Sequence, residues 1–108
     1  MPAFLLLAFA ILSEVGATLA LRVSDGFSRP IPSLIVVVGY GISFWFLALA
    51  LKDIPVSLTY AIWSGVGTAL IAVAGVLGFG ETMNLMKLLS LMVIVLGVAG
   101  LSAAGGAH

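Results

Sequence analysis

The sequence predicts an all-α membrane protein whose chain crosses the bilayer four times. Of its 108 residues, 63% are hydrophobic and only 7% are charged, which is too little charge for the surface of a soluble domain. The hydrocarbon core of a bilayer is about 30 Å thick and takes roughly 20 helical residues to cross. Four apolar segments of about this length fill the chain, so we expect one transmembrane domain over residues 1–108.

The first apolar segment predicts a helix over residues 3–21. It is apolar except for Ser13, Glu14 and Thr18, and it ends at Arg22, where a polar run begins. A secretory signal peptide is the competing interpretation, but a carboxylate interrupts the segment and three further spans follow it. We therefore expect this segment to be the first transmembrane helix.

Turn-forming residues separate the first helix from the second. Asp25 and Gly26 form a turn signal. Pro30 and Pro32 suit the entry of a helix, because their missing N–H groups fall among the unpaired donors of the first turn. The second helix is predicted over residues 33–51.

A polar break at residues 52–55 precedes the third helix, which is predicted over residues 57–77. Several glycines weaken the middle of this helix. After a short polar loop, Asn84 is a suitable N-cap, and the fourth helix is predicted over residues 87–103.

The three connections are short, so consecutive helices should cross the membrane in opposite directions. One side of the membrane then carries Arg22, Arg29 and Lys87, and the other side carries Lys52 and the terminal amine. This difference is small for the positive-inside rule, which acts through charge bias in short loops. We expect either orientation, or a mixture of both.

The composition also excludes several classes of function. Four Lys and Arg balance four Asp and Glu, so there is no basic patch for nucleic acid. The chain has no Cys and a single His, His108, which excludes thiol chemistry and the usual metal sites. No second acid and no histidine lies within the helices beside Glu14. We therefore expect no enzymatic activity, no cofactor and no nucleic-acid partner.

Glu14, near the middle of the first helix, is the strongest functional candidate. A charge at this depth costs roughly 2.5 to 3.5 kcal/mol, and such carboxylates usually face a bundle interior or a water-filled cavity. Ala10, Ala17 and Thr18 share its helical face at spacings of three and four residues, so bulky atoms are absent around it. The alternative is a neutral Glu14 that only bonds a neighbouring helix.

Aromatic residues form the second part of the candidate site. Tyr40 and Phe44 lie on one face of the second helix, Tyr60 and Trp63 lie on one face of the third, and Ser64 continues that face. The alternative is core packing or an interfacial aromatic belt. Rings and a carboxylate in one apolar cavity suit a lipophilic cation, which the carboxylate attracts by charge and the ring faces by their quadrupoles.

A single bundle of four short helices leaves little internal volume for a transport path, so we expect a dimer. Ser90, Gly97 and Gly100 form a track of small residues along the fourth helix, and such tracks let helix backbones approach each other in lipid. The alternative is that glycine is simply common in membrane helices.

These residues occur in an order that resembles a known family over essentially the whole chain. The matching stretches are Ser13-Glu14-Val15, residues 25–29, Gly39-Tyr40, Ser43-Phe44-Trp45, Ile54-Pro55 and, most specifically, residues 60–67. On these stretches the sequence resembles the small multidrug resistance transporters, and within them the branch that exports quaternary cations. The sister branch exports guanidinium and typically has a tryptophan at the position of Gly16 and a lysine at the position of Leu101, so both positions favour the quaternary-cation branch here.

The resemblance implies an antiparallel, dual-topology homodimer in a bacterial inner (plasma) membrane, in which Glu14 of both copies binds either protons or drug. It also implies that Gly65 and Gly67 bend the third helix and that the fourth helix holds the dimer, although the family often has glycine where this chain has Ser90. The residues that it implies to line the pocket or to lie close to it are Tyr40, Phe44, Tyr60, Trp63, Ala10, Ser13, Ala17, Thr18 and Ser64.

We therefore expect a proton-coupled antiporter that exports lipophilic and quaternary ammonium cations by competition between proton and drug at Glu14. Two other classes stay open at this point. The first is an exporter of guanidinium or another small metabolite cation. The second is a partner subunit of a paired heterodimeric transporter, or a small membrane scaffold that transports nothing by itself.

Overall fold

The computed structural model describes residues 2–106, so Met1, Ala107 and His108 lie outside the description. The chain divides into two compact units, residues 1–53 and residues 54–108, and each is described by itself. Helices α1 (Ala3–Val23) and α2 (Pro30–Ala50) form the first unit, and helices α3 (Val56–Gly78) and α4 (Leu85–Leu101) form the second. A short π-helical turn, Ser102–Gly106, follows α4.

All four helices are long and apolar enough to cross a membrane, when α4 is counted on to Ala104. A helix of 21 residues, the length of α1 and of α2, is about 31 Å long, which matches the hydrocarbon core. The prediction of an all-α chain with four such helices is confirmed. The prediction of one domain that includes all four stays a prediction.

The helix ends differ from the expected positions by up to three residues. The largest difference is at α2, which begins at Pro30, so that Pro30 and Pro32 lie inside its first turn. A proline fits there because its ring fixes a helical φ and no N–H is needed. Asn84 is the N-cap of α4, as predicted, and its Oδ1 accepts a hydrogen bond from the Lys87 backbone N–H at 2.9 Å.

The turn between α1 and α2 is organised by one fully buried hydroxyl. Ser24 Oγ donates to the Leu21 carbonyl at 2.7 Å and accepts from the Phe27 N–H at 3.1 Å. Asp25, Gly26 and Phe27 all have positive φ, from 50° to 70°, and this region is costly for residues other than glycine. The bonds of Ser24 therefore hold a left-handed turn that reverses the chain.

Helices α1 and α2 pack through small side chains. Ser43 Oγ donates to the Ala10 carbonyl at 2.7 Å, and both residues are fully buried. A Cβ added to Gly39 would lie only 2.8 Å from the Ala17 Cβ and 3.4 Å from the Ala17 Cα. The glycine is therefore required for this approach of the two helix backbones, as at other close helix contacts in lipid.

In the second unit, α3 packs closely against α4 at Gly65. A Cβ at this position would lie 2.8 Å from Val98 Cγ2 and 3.3 Å from Ile94 Cγ2. Helix α4 contains no buried residue along its length. Its apolar side chains, among them Leu88, Leu89 and Val93, are available to lipid or to another chain.

Candidate functional site

Glu14 lies on the face of α1 that packs against α2. Leu7, Ala10 and Ala17 are buried on this face, and Glu14 continues their alternating spacing of three and four residues, which keeps side chains on one face of a helix. Its own side chain is half-buried. The carboxylate is therefore placed beside the contact between the two helices, close to the middle of α1.

Two hydroxyl groups connect Glu14 to α2. Thr18 Oγ1 donates to Glu14 Oε1 at 2.8 Å, and the same Thr18 oxygen lies 2.5 Å from the Tyr40 hydroxyl oxygen. A hydroxyl has one proton to donate. Because Thr18 donates its proton to Glu14, Tyr40 must donate to Thr18. The three groups form a chain of hydrogen bonds that ends at the carboxylate and links it to α2.

Two aromatic rings of α2, those of Tyr40 and Phe44, extend from this hydrogen-bond chain toward the protein surface. The Tyr40 and Phe44 rings are stacked, with centroids 6.2 Å apart and planes 22° apart. Phe44 is 54% exposed, so its ring offers a face to lipid or to a ligand. The structure thus brings together four of the predicted site residues: Glu14, Thr18, Tyr40 and Phe44.

The other predicted residues of α1 have packing roles in this chain. Ala10 and Ala17 are buried and meet α2 at Ser43 and Gly39, and Ser13 is half-buried one residue before Glu14. Their small size is what allows α2 to approach the carboxylate. That these three residues lie close to a bound substrate stays a prediction.

Sequence reasoning did not single out Gly39 or Ser43 for their contacts. The signal that reveals them is the spacing of the buried residues of α2, since Val36, Ser43 and Ala50 are seven residues apart in turn. A seven-residue repeat marks the line along which one helix packs against another. Gly39 falls on this line three residues after Val36, where it lies against α1.

In the second unit, Tyr60 and Trp63 form the predicted ring pair on α3. Their centroids are 5.7 Å apart with a tilt of 52°, and Tyr60 is 63% exposed. Ser64 Oγ donates to the Tyr60 carbonyl one turn earlier, at 2.7 Å. The prediction that these residues share a pocket with Glu14 stays a prediction.

The predicted hinge and interface residues have clear positions on α3 and α4. Gly65 and Gly67 are buried, and Gly65 faces α4 as described above. Ser90 lines one cavity between α3 and α4, and Gly97 lines another. A Cβ added to Gly97 or Gly100 would meet no atom within 4 Å. The bending of α3 and the dimer contact through α4 stay predictions.

The fold and this site define a class: a small multi-pass bacterial membrane protein with a carboxylate beside the contact of two apolar helices. A family model described as "Small Multidrug Resistance protein" matches residues 2–94. The chain belongs to the Small Multidrug Resistance family, so the resemblance seen in the sequence is confirmed.

Individual relatives match along nearly the whole chain. "Multidrug resistance protein EbrA" of Bacillus licheniformis is 47% identical over 95 residues, which cover 88% of this chain and 90% of that protein. "Quaternary ammonium compound-resistance protein QacF" of Klebsiella aerogenes is 44% identical over 102 residues, covering 94% and 93% of the two chains. "Quaternary ammonium compound-resistance protein QacE" of Escherichia coli is 43% identical over 102 residues, which cover 94% of this chain and 93% of that protein.

Proposed function

We propose that this protein is a proton-coupled antiporter that exports lipophilic, aromatic and quaternary ammonium cations across the bacterial membrane. In this proposal, protons and cations compete for the carboxylate of Glu14. The observation that supports it most is the hydrogen-bond chain from Tyr40 through Thr18 to Glu14, which ties a carboxyl group inside a membrane helix to the neighbouring helix. The names of the relatives, multidrug resistance and quaternary ammonium compound-resistance proteins, support the substrate class.

A carboxylate is suited to this exchange because it accepts either partner. An ionised Glu14 attracts a cation strongly where water is scarce, and a protonated Glu14 has no charge with which to hold it. A permanently charged group could not release the cation, and an uncharged group could not bind it. Binding of a proton and binding of a cation are therefore mutually exclusive at one carboxylate.

The aromatic rings supply the second part of the affinity. A cation close to a ring face is stabilised by about 0.5 to 2 kcal/mol, and more when it is desolvated. The stacked pair Tyr40 and Phe44 lies next to the hydrogen-bond chain, and Tyr60 and Trp63 offer a second ring pair on α3. Quaternary ammonium and aromatic cations fit such rings better than small hydrated cations.

Transport requires that the loaded site opens to the other side of the membrane while the empty, unprotonated site does not. We propose that an antiparallel homodimer makes this change, with one Glu14 from each copy and a contact through α4. Two copies in opposite orientations agree with the small charge bias between the two sides of the chain. The membrane potential contributes about 2.3 kcal/mol per elementary charge per 100 mV, so entry of more than one proton per monovalent cation drives export.

Transport in proteoliposomes tests the proposal. We expect an outward-directed proton gradient to drive uptake of tetraphenylphosphonium by the wild type and by Asp53→Asn, which removes an exposed loop carboxylate. Glu14→Gln should abolish this uptake. Retained gradient-driven uptake in Glu14→Gln would contradict the mechanism. Uptake of guanidinium, but not of tetraphenylphosphonium, would move the protein to the sister branch.

A further inference from the structure

A cavity between α3 and α4 lies next to the loop that connects them. It has a volume of about 350 Å³, which is within the range of small-ligand sites, about 300 to 1,000 Å³. Its walls are mostly apolar and include two methionines, Met83 and Met86, whose flexible side chains adapt to varied ligands. Glu81 and Lys87 place one negative and one positive group in the same cavity.

The carboxylate of Glu81 is positioned by a glycine on α3. The Glu81 N–H donates to the Gly75 carbonyl at 3.1 Å, and its side chain folds back over Gly75. A Cβ on Gly75 would lie 2.8 Å from Glu81 Cδ. Among the described residues, the carboxylate has no hydrogen-bond or ion-pair partner. It therefore has acceptor capacity for a cationic donor in the cavity.

The ammonium of Lys87 lies in the first turn of α4, on the other wall. Its Nζ donates to the Thr82 carbonyl at 2.5 Å, and an ammonium has two further donors. The positive end of the α4 dipole is at this same turn. An anionic group held by Lys87 would therefore have both a charged donor and a favourable helix end beside it.

We infer that this cavity, defined by Glu81, Lys87, Met83 and Met86, binds the headgroup of a phosphatidylethanolamine lipid. The ammonium of that headgroup matches Glu81, and its phosphate matches Lys87. The cavity lies where two apolar helices end in a polar loop, which is the level of the lipid headgroups for a helix that spans the bilayer. The apolar wall that continues down to Ile94 receives the upper part of an acyl chain.

A helix from a second copy is the other candidate occupant, since Ser90 also lines this cavity. An apolar helix would leave the carboxylate of Glu81 without a partner, and burying an unpaired charge is costly. A zwitterionic headgroup pairs both charges. The small residues farther along α4, Gly97 and Gly100, stay available for the proposed dimer contact, because neither lines this cavity.

Native mass spectrometry of the full-length protein in detergent tests the inference. Phosphatidylethanolamine, phosphatidylcholine and phosphatidylglycerol with identical acyl chains are titrated in turn, and bound lipids per protein are counted. We expect phosphatidylethanolamine to bind about tenfold more tightly than phosphatidylcholine, because the choline group has no N–H to donate to Glu81. The glycerol headgroup has no positive charge, so it also binds more weakly.

Three substitutions separate the parts of the site. Glu81→Gln should remove most of the preference for phosphatidylethanolamine without weakening phosphatidylglycerol, whereas Lys87→Gln should weaken both. Gly75→Ala keeps both charges but displaces the Glu81 carboxylate, so it should also reduce the preference. Lys52→Gln and Asp53→Asn, in the loop between α2 and α3, are the matched controls, and circular dichroism confirms that each variant is helical.

Two results would overturn the inference. The first is equal binding of phosphatidylethanolamine to the wild type and to Glu81→Gln. The second is a fall in the dimer fraction of Glu81→Gln with no change in lipid counts, which would assign the cavity to a second copy. Neither result bears on Glu14, so the proposed transport activity is tested separately.

Discussion

The hydroxyl oxygens of Thr18 and Tyr40 lie 2.5 Å apart and connect α1 to α2 one turn after Glu14. The same Thr18 hydroxyl donates to the Glu14 carboxylate. Glu14 is therefore linked to the second helix through a side chain of its own helix. Loss of either hydroxyl changes the surroundings of the carboxylate without changing its position in the chain.

Tyr40→Phe should weaken cation binding because it removes the hydroxyl that donates to Thr18 and keeps the aromatic ring. Thr18 then has no donor from α2, and the Glu14 carboxylate loses part of the hydrogen-bond network that holds it in place for a cation. We expect the Kd for tetraphenylphosphonium at fixed neutral pH to rise about threefold to tenfold, the size expected for one hydrogen bond in a charged network. Isothermal titration calorimetry in detergent measures this change.

The matched pair at position 18 tests whether the hydroxyl is the cause. Thr18→Ser keeps the hydroxyl and should bind like the wild type within about twofold, whereas Thr18→Val keeps the shape and should lose at least as much affinity as Tyr40→Phe. Equal affinities of Thr18→Ser and Thr18→Val would show that the hydrogen-bond chain has no role in binding.

Gly39→Ala should destabilise the first helix pair, because the new methyl group would lie 2.8 Å from the Ala17 Cβ and close to the α1 backbone. Overpacking of this kind costs about 1 to 3 kcal/mol. The control is Gly41→Ala, because a Cβ there would meet no atom within 4 Å. We expect thermal unfolding in detergent to show a lower Tm for Gly39→Ala only. Equal Tm values for the two variants would argue against the close contact.

Ser24→Ala should destabilise the turn between α1 and α2. The substitution removes the acceptor of the Phe27 N–H and the donor to the Leu21 carbonyl at a fully buried position. The expected loss of unfolding free energy is about 1 to 3 kcal/mol. Ser33→Ala is the control, because its hydroxyl bonds the Arg29 carbonyl at an exposed position, and it should change stability by less than about 0.5 kcal/mol.

Gly65→Ala should impair the movement of α3 that we propose for transport. Its methyl group would lie 2.8 Å from Val98 Cγ2, so α3 and α4 would be forced apart. We expect slower proton-driven uptake of tetraphenylphosphonium with a Kd within about twofold of the wild type, since Gly65 is not a proposed binding residue. Gly97→Ala, which adds a methyl group into open space, should transport normally.

A compensating substitution decides whether the Val98 contact is the cause of the Gly65→Ala defect. Val98→Ala removes the methyl group that the new Cβ would meet. The double variant Gly65→Ala/Val98→Ala should therefore recover much of the transport rate. Failure to recover, together with a defect in Gly97→Ala, would assign the effect to general disruption of the helix pair.

Much of the architecture could be predicted from the sequence because apolar length is a strong signal in a membrane. The number of helices followed from this signal. Asn84 as N-cap followed from its residue type just before the fourth apolar segment. The exact start of α2 did not, because Pro30 and Pro32 are compatible with a position before the helix or in its first turn. Phe27 in a left-handed conformation was also unpredictable, since it depends on the bonds made by Ser24.

The candidate site was predicted less completely than the helices. Glu14, Thr18 and Tyr40 were all predicted site residues, but their order in one hydrogen-bond chain depends on how α1 and α2 pack. Glu81 has the charge and position of an ordinary loop residue in the sequence. Only the fold shows that its carboxylate lies over Gly75.

The most direct test of the proposed mechanism is proton release from the purified, detergent-solubilised protein in unbuffered solution on addition of tetraphenylphosphonium. We expect tetraphenylphosphonium to release protons from the wild type and from Asp53→Asn. It should release none from Glu14→Gln. The Kd of the wild type should rise as the starting pH falls, because protons compete for the same carboxylate. Cation binding of unchanged affinity in Glu14→Gln, or binding to the wild type that is independent of pH, would contradict the proposal that proton and cation share Glu14.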